Sequence, residues 1–135
     1  MDLTTLNFLL NSILVGIILV TQFVNYPLFK IIDLNFEKIH EEYTKKMSYV
    51  VAPIMTLEAL AVFSMYIYYP KSNNLIFIVL LTIVIWLSTF LIQVPIHNKI
   101  SFKKDPKKVK KLIKTNYIRT IAWCSKLYFS MLLIS

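Results

Sequence analysis

Leu75-Ile-Phe-Ile-Val-Leu-Leu-Thr-Ile-Val-Ile-Trp-Leu-Ser-Thr-Phe-Leu-Ile-Gln-Val-Pro-Ile-His97 decides the fold. The stretch carries no fixed charge, and its length matches the roughly 20 apolar residues that cross a bilayer as a helix. Its last turns, Trp86 to Asn98, collect Ser88, Thr89, Gln93, Pro95, His97 and Asn98, more polarity than an anchor requires. Thr89, Gln93 and His97 recur at i, i+4 and i+8, so a helix sets them along one face. Polar groups in hydrocarbon cost free energy unless partnered, so that face is predicted to look into the protein.

The whole chain has the same character. Of its 135 residues, 57% are apolar and only 16% charged, with a mean hydropathy of +0.63. Such a balance points to one integral membrane domain rather than a soluble one. A single glycine argues against a barrel and for uninterrupted helices. It also leaves no room for a phosphate loop or a dinucleotide fingerprint, and no nucleophile motif is present. Cys124 stands alone, which excludes an intrachain disulfide and a cysteine-based zinc or iron–sulfur site.

The net charge of +8 is local. Lys99, Lys103, Lys104, Lys107, Lys108, Lys110, Lys111 and Lys114 fall in one connection. Beside hydrophobic spans, such a run marks a cytoplasmic surface that meets anionic lipid. Only Phe102 interleaves with it, so nucleic acid is not the expected partner.

Four spans are predicted, at about 6–29, 47–69, 75–97 and 115–134, joined by connections at 30–46 and 98–114. The first span is not read as a signal peptide, since no basic residue precedes it and no small-residue cleavage site follows. The expected architecture is all-α: an antiparallel up-and-down bundle of four membrane helices forming a single domain over 1–135. In the first connection Phe36, Ile39 and Tyr43 recur opposite Glu37, Lys38, Glu41 and Glu42. That spacing predicts a short amphipathic interfacial helix between spans one and two, with Asn35 as its N-cap. Pro53 is predicted to kink span two, Pro70–Asn74 to be a tight turn, and Pro106 to start a helix. Connections one and three hold four and eight lysines against Lys71 in the second. The positive-inside rule therefore places the chain in the cytoplasmic (inner) membrane with both termini outside. No internal repeat marks it for alternating access, so a transporter would have to be an oligomer.

Overlaying the spans collects the polar residues in one half of the bilayer. Gln22 and Asn25 end span one, Glu58 lies in span two, Gln93 and His97 end span three, and Asn116 and Arg119 begin span four. The opposite halves read as almost wholly apolar. A polar cavity opening toward the cytoplasm, or toward the inner leaflet, beneath an apolar outer plug, is the expectation.

Glu58 lies about eleven residues into span two, roughly 16 Å deep at 1.5 Å per residue. A carboxylate there must pair or take up a proton. Lys126 at similar depth and Arg119 are its candidate partners. One reading is a structural ion pair that fixes helix packing; the other is a general acid, base or ligand. His97 reads as an interfacial hydrogen-bonding residue, or with His40 and Glu58 as a ligand for haem iron or a metal ion. Glu37 and His40 share the i, i+3 spacing of carboxylate-bridged di-iron bundles. A solvated helix face explains that pair more simply, and no metal site is assigned. Trp86 and Trp123 read as packing or interfacial residues before substrate stackers.

Ser88-Thr89, Gln93-Val-Pro-Ile-His-Asn-Lys-Ile100 and Asn116-Tyr-Ile-Arg-Thr-Ile-Ala-Trp123, with Tyr26-Pro27 near the end of span one, carry a resemblance. The chain resembles the anthrone-oxygenase-like group of small four-span membrane proteins, through Thr89, Pro95, Asn98, Asn116 and Arg119. His97 departs from the asparagine more usual in that group. The resemblance implies oxygenation of a lipophilic aromatic or quinone-like compound without an obvious cofactor. It would make Glu58 or His97 the base, with Arg119, Gln93 and Asn98 stabilising the oxyanion. Glu58, His97 and Arg119 are thus the candidate catalytic residues. Gln22, Asn25, Thr89, Gln93, Asn98, Asn116, Trp123 and Lys126 are the candidates for holding a small lipophilic ligand. A haem, metal or lipophile-binding module, a homo-oligomer, and a structural subunit of a larger membrane complex are the competing readings.

Overall fold

A computed structural model describes all 135 residues. The chain is all-helical, with helices α1 (Leu3–Leu28), α2 (Phe36–Tyr68), α3 (Asn73–Phe102) and α4 (Pro106–Ile134). Three of them, α1 to α3, are long and apolar enough to cross a membrane. The fourth falls short of that standard, for a reason visible in its packing. Asn116, Arg119, Thr120, Lys126 and Ser130 of α4 are buried, whereas Ile118, Ile121, Tyr128, Met131 and Leu132 face outward. Its polarity lies inside.

The same inversion holds for the whole molecule. Fourteen of the 33 buried residues are polar or charged, while Phe23, Leu57, Phe63, Leu80, Leu91 and Ile121 are more than half exposed. A water-soluble domain does the opposite, because exposing large apolar patches to water is costly and burying polar groups needs partners. An apolar solvent for the outer surface resolves both.

The connections are shorter than the sequence spacing predicts. The interfacial helix expected between the first two spans is instead the first part of α2, which runs unbroken through 33 residues. Nothing between Tyr43 and Met47 breaks a helix, and Pro53 leaves it continuous. At 1.5 Å per residue α2 is about 50 Å long, well beyond a bilayer's hydrocarbon core of roughly 30 Å, so it extends past any such core. Asn35 precedes it in the left-handed conformation (φ 55°, ψ 31°) and makes no side-chain cap. Asparagine is one of the few residues that tolerates this conformation. The lysine-rich connection is likewise mostly helix, its residues divided between the end of α3 and the start of α4. Pro106 does open α4, and Asp105 caps it by accepting from the amide of Lys107.

Helix α4 packs along both α1 and α3, and α2 packs along α1 and meets α3 before and after, but not at, residues Thr89–Gln93. One core cluster joins Leu14, Val15, Ile18, Met55, Ile85, Ala122 and Trp123 in the middle of the molecule. A second joins Tyr26, Phe29, Phe36, Ile96, Ile100, Val109 and Leu112 at the lysine-rich end. Where such residues lie beyond the hydrocarbon, burial of each large side chain contributes about 1.5–3 kcal/mol. Within lipid the drive is packing and hydrogen bonding instead.

Two wide turns interrupt the membrane-type helices. Thr21–Asn25 of α1 and Thr89–Gln93 of α3 are π-helical, with the amides of Tyr26 and Val94 donating to the carbonyls of Thr21 and Thr89. Both sit just before a proline. Pro27 and Pro95 have no N–H and crowd the carbonyl four residues back, and a turn widened by one residue relieves the clash. The threonine opening each turn donates its hydroxyl to the carbonyl four residues back, Thr21 to Ile17 and Thr89 to Ile85. Thr21-x-x-x-Asn25-x-Pro27 and Thr89-x-x-x-Gln93-x-Pro95 are the same pattern twice, a local repeat that hydropathy alone does not reveal. π-Turns favour functional positions, and both of these lie at the site described next.

Candidate functional site

Where α2 and the Thr89–Gln93 turn of α3 make no contact, a cavity of about 490 Å³ opens. Its floor is Leu14, Ile18, Met55 and Trp123, and its polar wall is Thr21, Tyr26, Thr89, His97 and Arg119. Its rims are exposed: Ser48, Ala52 and Thr56 on α2, and Phe90, Val94 and Asn98 on α3. The opening therefore faces sideways, between two apolar helices.

Arg119 is the group that sets its character. It is 8% exposed and stacks on Trp123, its guanidinium carbon 5.3 Å from the ring centroid. The three ion pairs of the molecule join Lys104 to Asp33, Lys108 to Asp105 and Lys126 to Glu58, so no carboxylate serves Arg119. Its Nε and the indole Nε1 of Trp123 are buried donors without acceptors. A cation over an aromatic face is stabilised by about 2 kcal/mol at best when desolvated. That does not offset the several kcal/mol that burying an ion costs.

Next to Arg119 runs a chain of short hydrogen bonds. Tyr26 Oη lies 2.8 Å from His97 Nε2 and 3.4 Å from Gln93 Oε1. His97 Nδ1 lies 2.9 Å from His40 Nε2, and His40 Nδ1 lies 2.7 Å from Ser101 Oγ. All four ring nitrogens are thus engaged. Phe29 meets His40 edge-on at 4.9 Å and Phe36 stacks on it at 5.5 Å between centroids. Those contacts fix the ring planes.

The remaining amides brace this wall. Gln22 Oε1 accepts from Asn116 Nδ2 at 2.9 Å and from Thr120 Oγ1 at 3.0 Å, and Gln22 Nε2 donates to the Ile113 carbonyl. Gln93 Nε2 donates to Thr115 Oγ1 at 2.9 Å, and Asn25 Nδ2 donates to Tyr43 Oη at 3.2 Å. They tie the two π-turns to α4 and α2 and hold the wall rigid.

The expected site residues divide. Thr89, His97, Asn98, Arg119 and Trp123 meet at the cavity, and Gln22, Asn25, Gln93 and Asn116 stand directly behind it. Glu58 and Lys126 lie elsewhere: they pair with each other, 2% and 0% exposed, and neither lines the cavity. Glu58 is therefore not brought to His40 or His97, and no group of three metal-ligating side chains converges. The apolar plug expected at the far end also holds polar groups, since Asn7 and Asn11 are buried and Asn7 Nδ2 donates to Ser130 Oγ at 2.9 Å.

Sequence reasoning passed over Tyr26, Tyr43 and Ser101 as site residues, and it favoured a solvated face for His40, which is fully buried. The signal was present. His40 is four residues after Phe36 and three before Tyr43, on the same stripe, whereas Ile39 is 44% exposed. The stripe is Phe36, His40, Tyr43 and Met47.

Comparison with protein-family models, with curated proteins and with solved structures returns no match.

Proposed function

We propose that this is a multi-pass protein of the cytoplasmic membrane that takes up a lipophilic aromatic or quinone-like compound from the bilayer. In this reading all four helices span as an antiparallel up-and-down bundle. The lysine-rich helix ends lie in the cytoplasm and both termini outside. Exposed Lys99, Lys103, Lys107, Lys110, Lys111 and Lys114 then meet anionic headgroups, each contributing about 1 kcal/mol.

One observation carries the ligand: Arg119, buried and without a carboxylate, on the wall of an apolar cavity that opens sideways. A phenolate, enolate or carbonyl oxygen placed there accepts from Arg119 Nε and Trp123 Nε1 together. Charge-assisted hydrogen bonds of this kind contribute about 1.5–3 kcal/mol each. The apolar floor fits a ring system, and the volume lies within the roughly 300–1,000 Å³ of small-molecule sites.

The resemblance to the anthrone-oxygenase-like group supplies a reaction class. His97, acting through the Tyr26 hydroxyl 2.8 Å from its Nε2, draws a proton from an activated ring methylene, and the carbanion attacks dioxygen. One oxygen atom becomes the new carbonyl; the other leaves as water with both methylene hydrogens. Arg119 holds the oxyanion. Glu58, held by Lys126 outside the cavity, is set aside as base in favour of His97.

Anthrone supplied to the protein in lipid nanodiscs tests this. The expected result is one dioxygen consumed per anthraquinone formed, with kcat/KM falling at least a hundredfold in His97→Phe. Turnover at the rate of protein-free nanodiscs would remove the oxygenase reading. Binding that ignores Arg119 would remove the site.

A further inference from the structure

The cavity does not end at its wall. Tyr26 and His97 face it, and from them the hydrogen bonds lead through His40 to Ser101, beside Phe102 and Lys103 on the exposed end of α3. We infer that Tyr26, His97, His40 and Ser101 form a proton path between the cavity and the lysine-rich surface. The inference rests on the reading of the cavity as a binding site for an ionisable lipophile.

The geometry permits two complete arrangements of the protons on one set of heavy atoms. In the first, Tyr26 donates to His97 Nε2, His97 Nδ1–H donates to His40 Nε2, and His40 Nδ1–H donates to Ser101 Oγ. In the second every bond is reversed. Ser101 donates to His40 Nδ1, His40 Nε2–H donates to His97 Nδ1, and His97 Nε2–H donates to Tyr26 Oη. Tyr26 Oη–H is then free for the cavity or for Gln93 Oε1, 3.4 Å away. Both rings are neutral in either arrangement, and each satisfies all four ring nitrogens.

Passing from the first to the second moves one proton the length of the chain. A ligand hydroxyl gives its proton to Tyr26 Oη as Tyr26 gives its own to His97 Nε2. The Nδ1 proton of His97 passes to His40 Nε2, and that of His40 passes to Ser101, whose proton goes to water. The ligand has lost a proton and the surface has gained one. No ring has turned over, and no charged histidine is formed in the buried layer, where it would be costly.

The surroundings suit such a path. Phe29 and Phe36 pack on His40 and exclude water from its sides. Glu37, one turn before His40, is occupied by the amide of Lys104 at 3.0 Å. Lys104 is in turn occupied by Asp33 at 2.7 Å and by the Ile32 carbonyl. From the other elements, Arg119 of α4 and Tyr43 of α2 are the remaining titratable groups at the cavity end. Arg119 favours the deprotonated ligand, so it pushes the proton outward.

Two measurements on the full chain in nanodiscs test the path. The first needs no ligand: ring ¹⁵N spectra of histidine-labelled protein, with Ser101→Ala. If the four groups are one path, removing Ser101 changes the tautomer balance of His97, two links away. The coupling between His40 Nε2 and His97 Nδ1 across their hydrogen bond persists. A response confined to His40, with His97 unmoved, overturns the path. The second follows deprotonation of 4-hexyl-2-nitrophenol by absorbance after a pH jump. His40→Phe is expected to slow it about tenfold or more while leaving the affinity within twofold. Equal rates in wild type and His40→Phe overturn the path and leave the cavity reading standing. A probe that fails to bind overturns the cavity reading, and the ¹⁵N result then decides the path by itself.

Discussion

Two buried polar layers cross this molecule, and they have opposite meanings. Toward the termini, Glu58 pairs with Lys126 and Asn7 with Ser130, and neither pair borders the cavity beside Arg119. Toward the lysine-rich end, Arg119 has no carboxylate and looks into about 490 Å³ of largely apolar space. Charges that neutralise one another fix which helix sits against which; in the function proposed above, the charge left open to a void is the one that meets a ligand. Burial alone does not separate the cases, because Glu58, Lys126 and Arg119 are all buried. The partner does.

The largest expected effect breaks the closed layer. Glu58→Ala leaves Lys126 buried without its counter-charge and destabilises by about 3–5 kcal/mol. It should be read as a fall in melting temperature and loss of a monodisperse peak. Replacing both residues by Met should recover most of that loss, and the double variant should bind the nitrophenol probe as wild type does. If it folds but no longer binds, the two layers are not separate.

Arg119→Met does the reverse. Stability is expected to hold or rise, since an uncompensated buried cation is removed. Affinity for the nitrophenolate is expected to fall about ten- to a hundredfold, as the loss of a charge-assisted bond requires. Isothermal titration and thermal melting of the same sample give both numbers. A large loss of stability would instead mean that Arg119 belongs to the structural layer.

Trp123→Phe keeps an aromatic face under Arg119 but removes the Nε1 donor together with one ring of a buried indole. It is expected to weaken probe binding about fivefold, in keeping with the roughly 1 kcal/mol of a neutral hydrogen bond. Ser130→Ala is expected to be the mildest change, about 0.6 kcal/mol for one interhelical hydrogen bond in a membrane setting, with probe affinity unchanged.

How much of this could be read from residues alone follows the physics of each layer. The helical class was legible, since uninterrupted apolar runs with one glycine admit little else. The candidate polar residues were legible by depth, because Gln22, Gln93, Asn116 and Arg119 lie at matching ends of their segments. The pairing of Glu58 with Lys126 followed from equal depth as one of two readings. The connections were legible in part: Pro106 marked the start of α4, but a separate short helix was read before Met47 where α2 runs on unbroken, since Tyr43 to Met47 holds no helix breaker. His40 was set on a solvated face because Ile39, not His40, was placed on the buried stripe, a rotation of about 100°. The π-turns were hidden too. Pro27 and Pro95 announce a disturbance, but widening by one residue is a choice made by the surrounding helices.

Both tryptophans of the chain, Trp86 and Trp123, line the cavity, so their fluorescence reports its occupancy directly. The measurement to make is titration of 4-hexyl-2-nitrophenol into protein in nanodiscs, wild type beside Arg119→Met. Saturable quenching of both indoles is expected in the wild type, with a shift of about ten- to a hundredfold to weaker binding in the variant. Quenching that rises linearly without saturation, equally in both proteins, would show the probe dissolved in lipid and Arg119 without a ligand to hold.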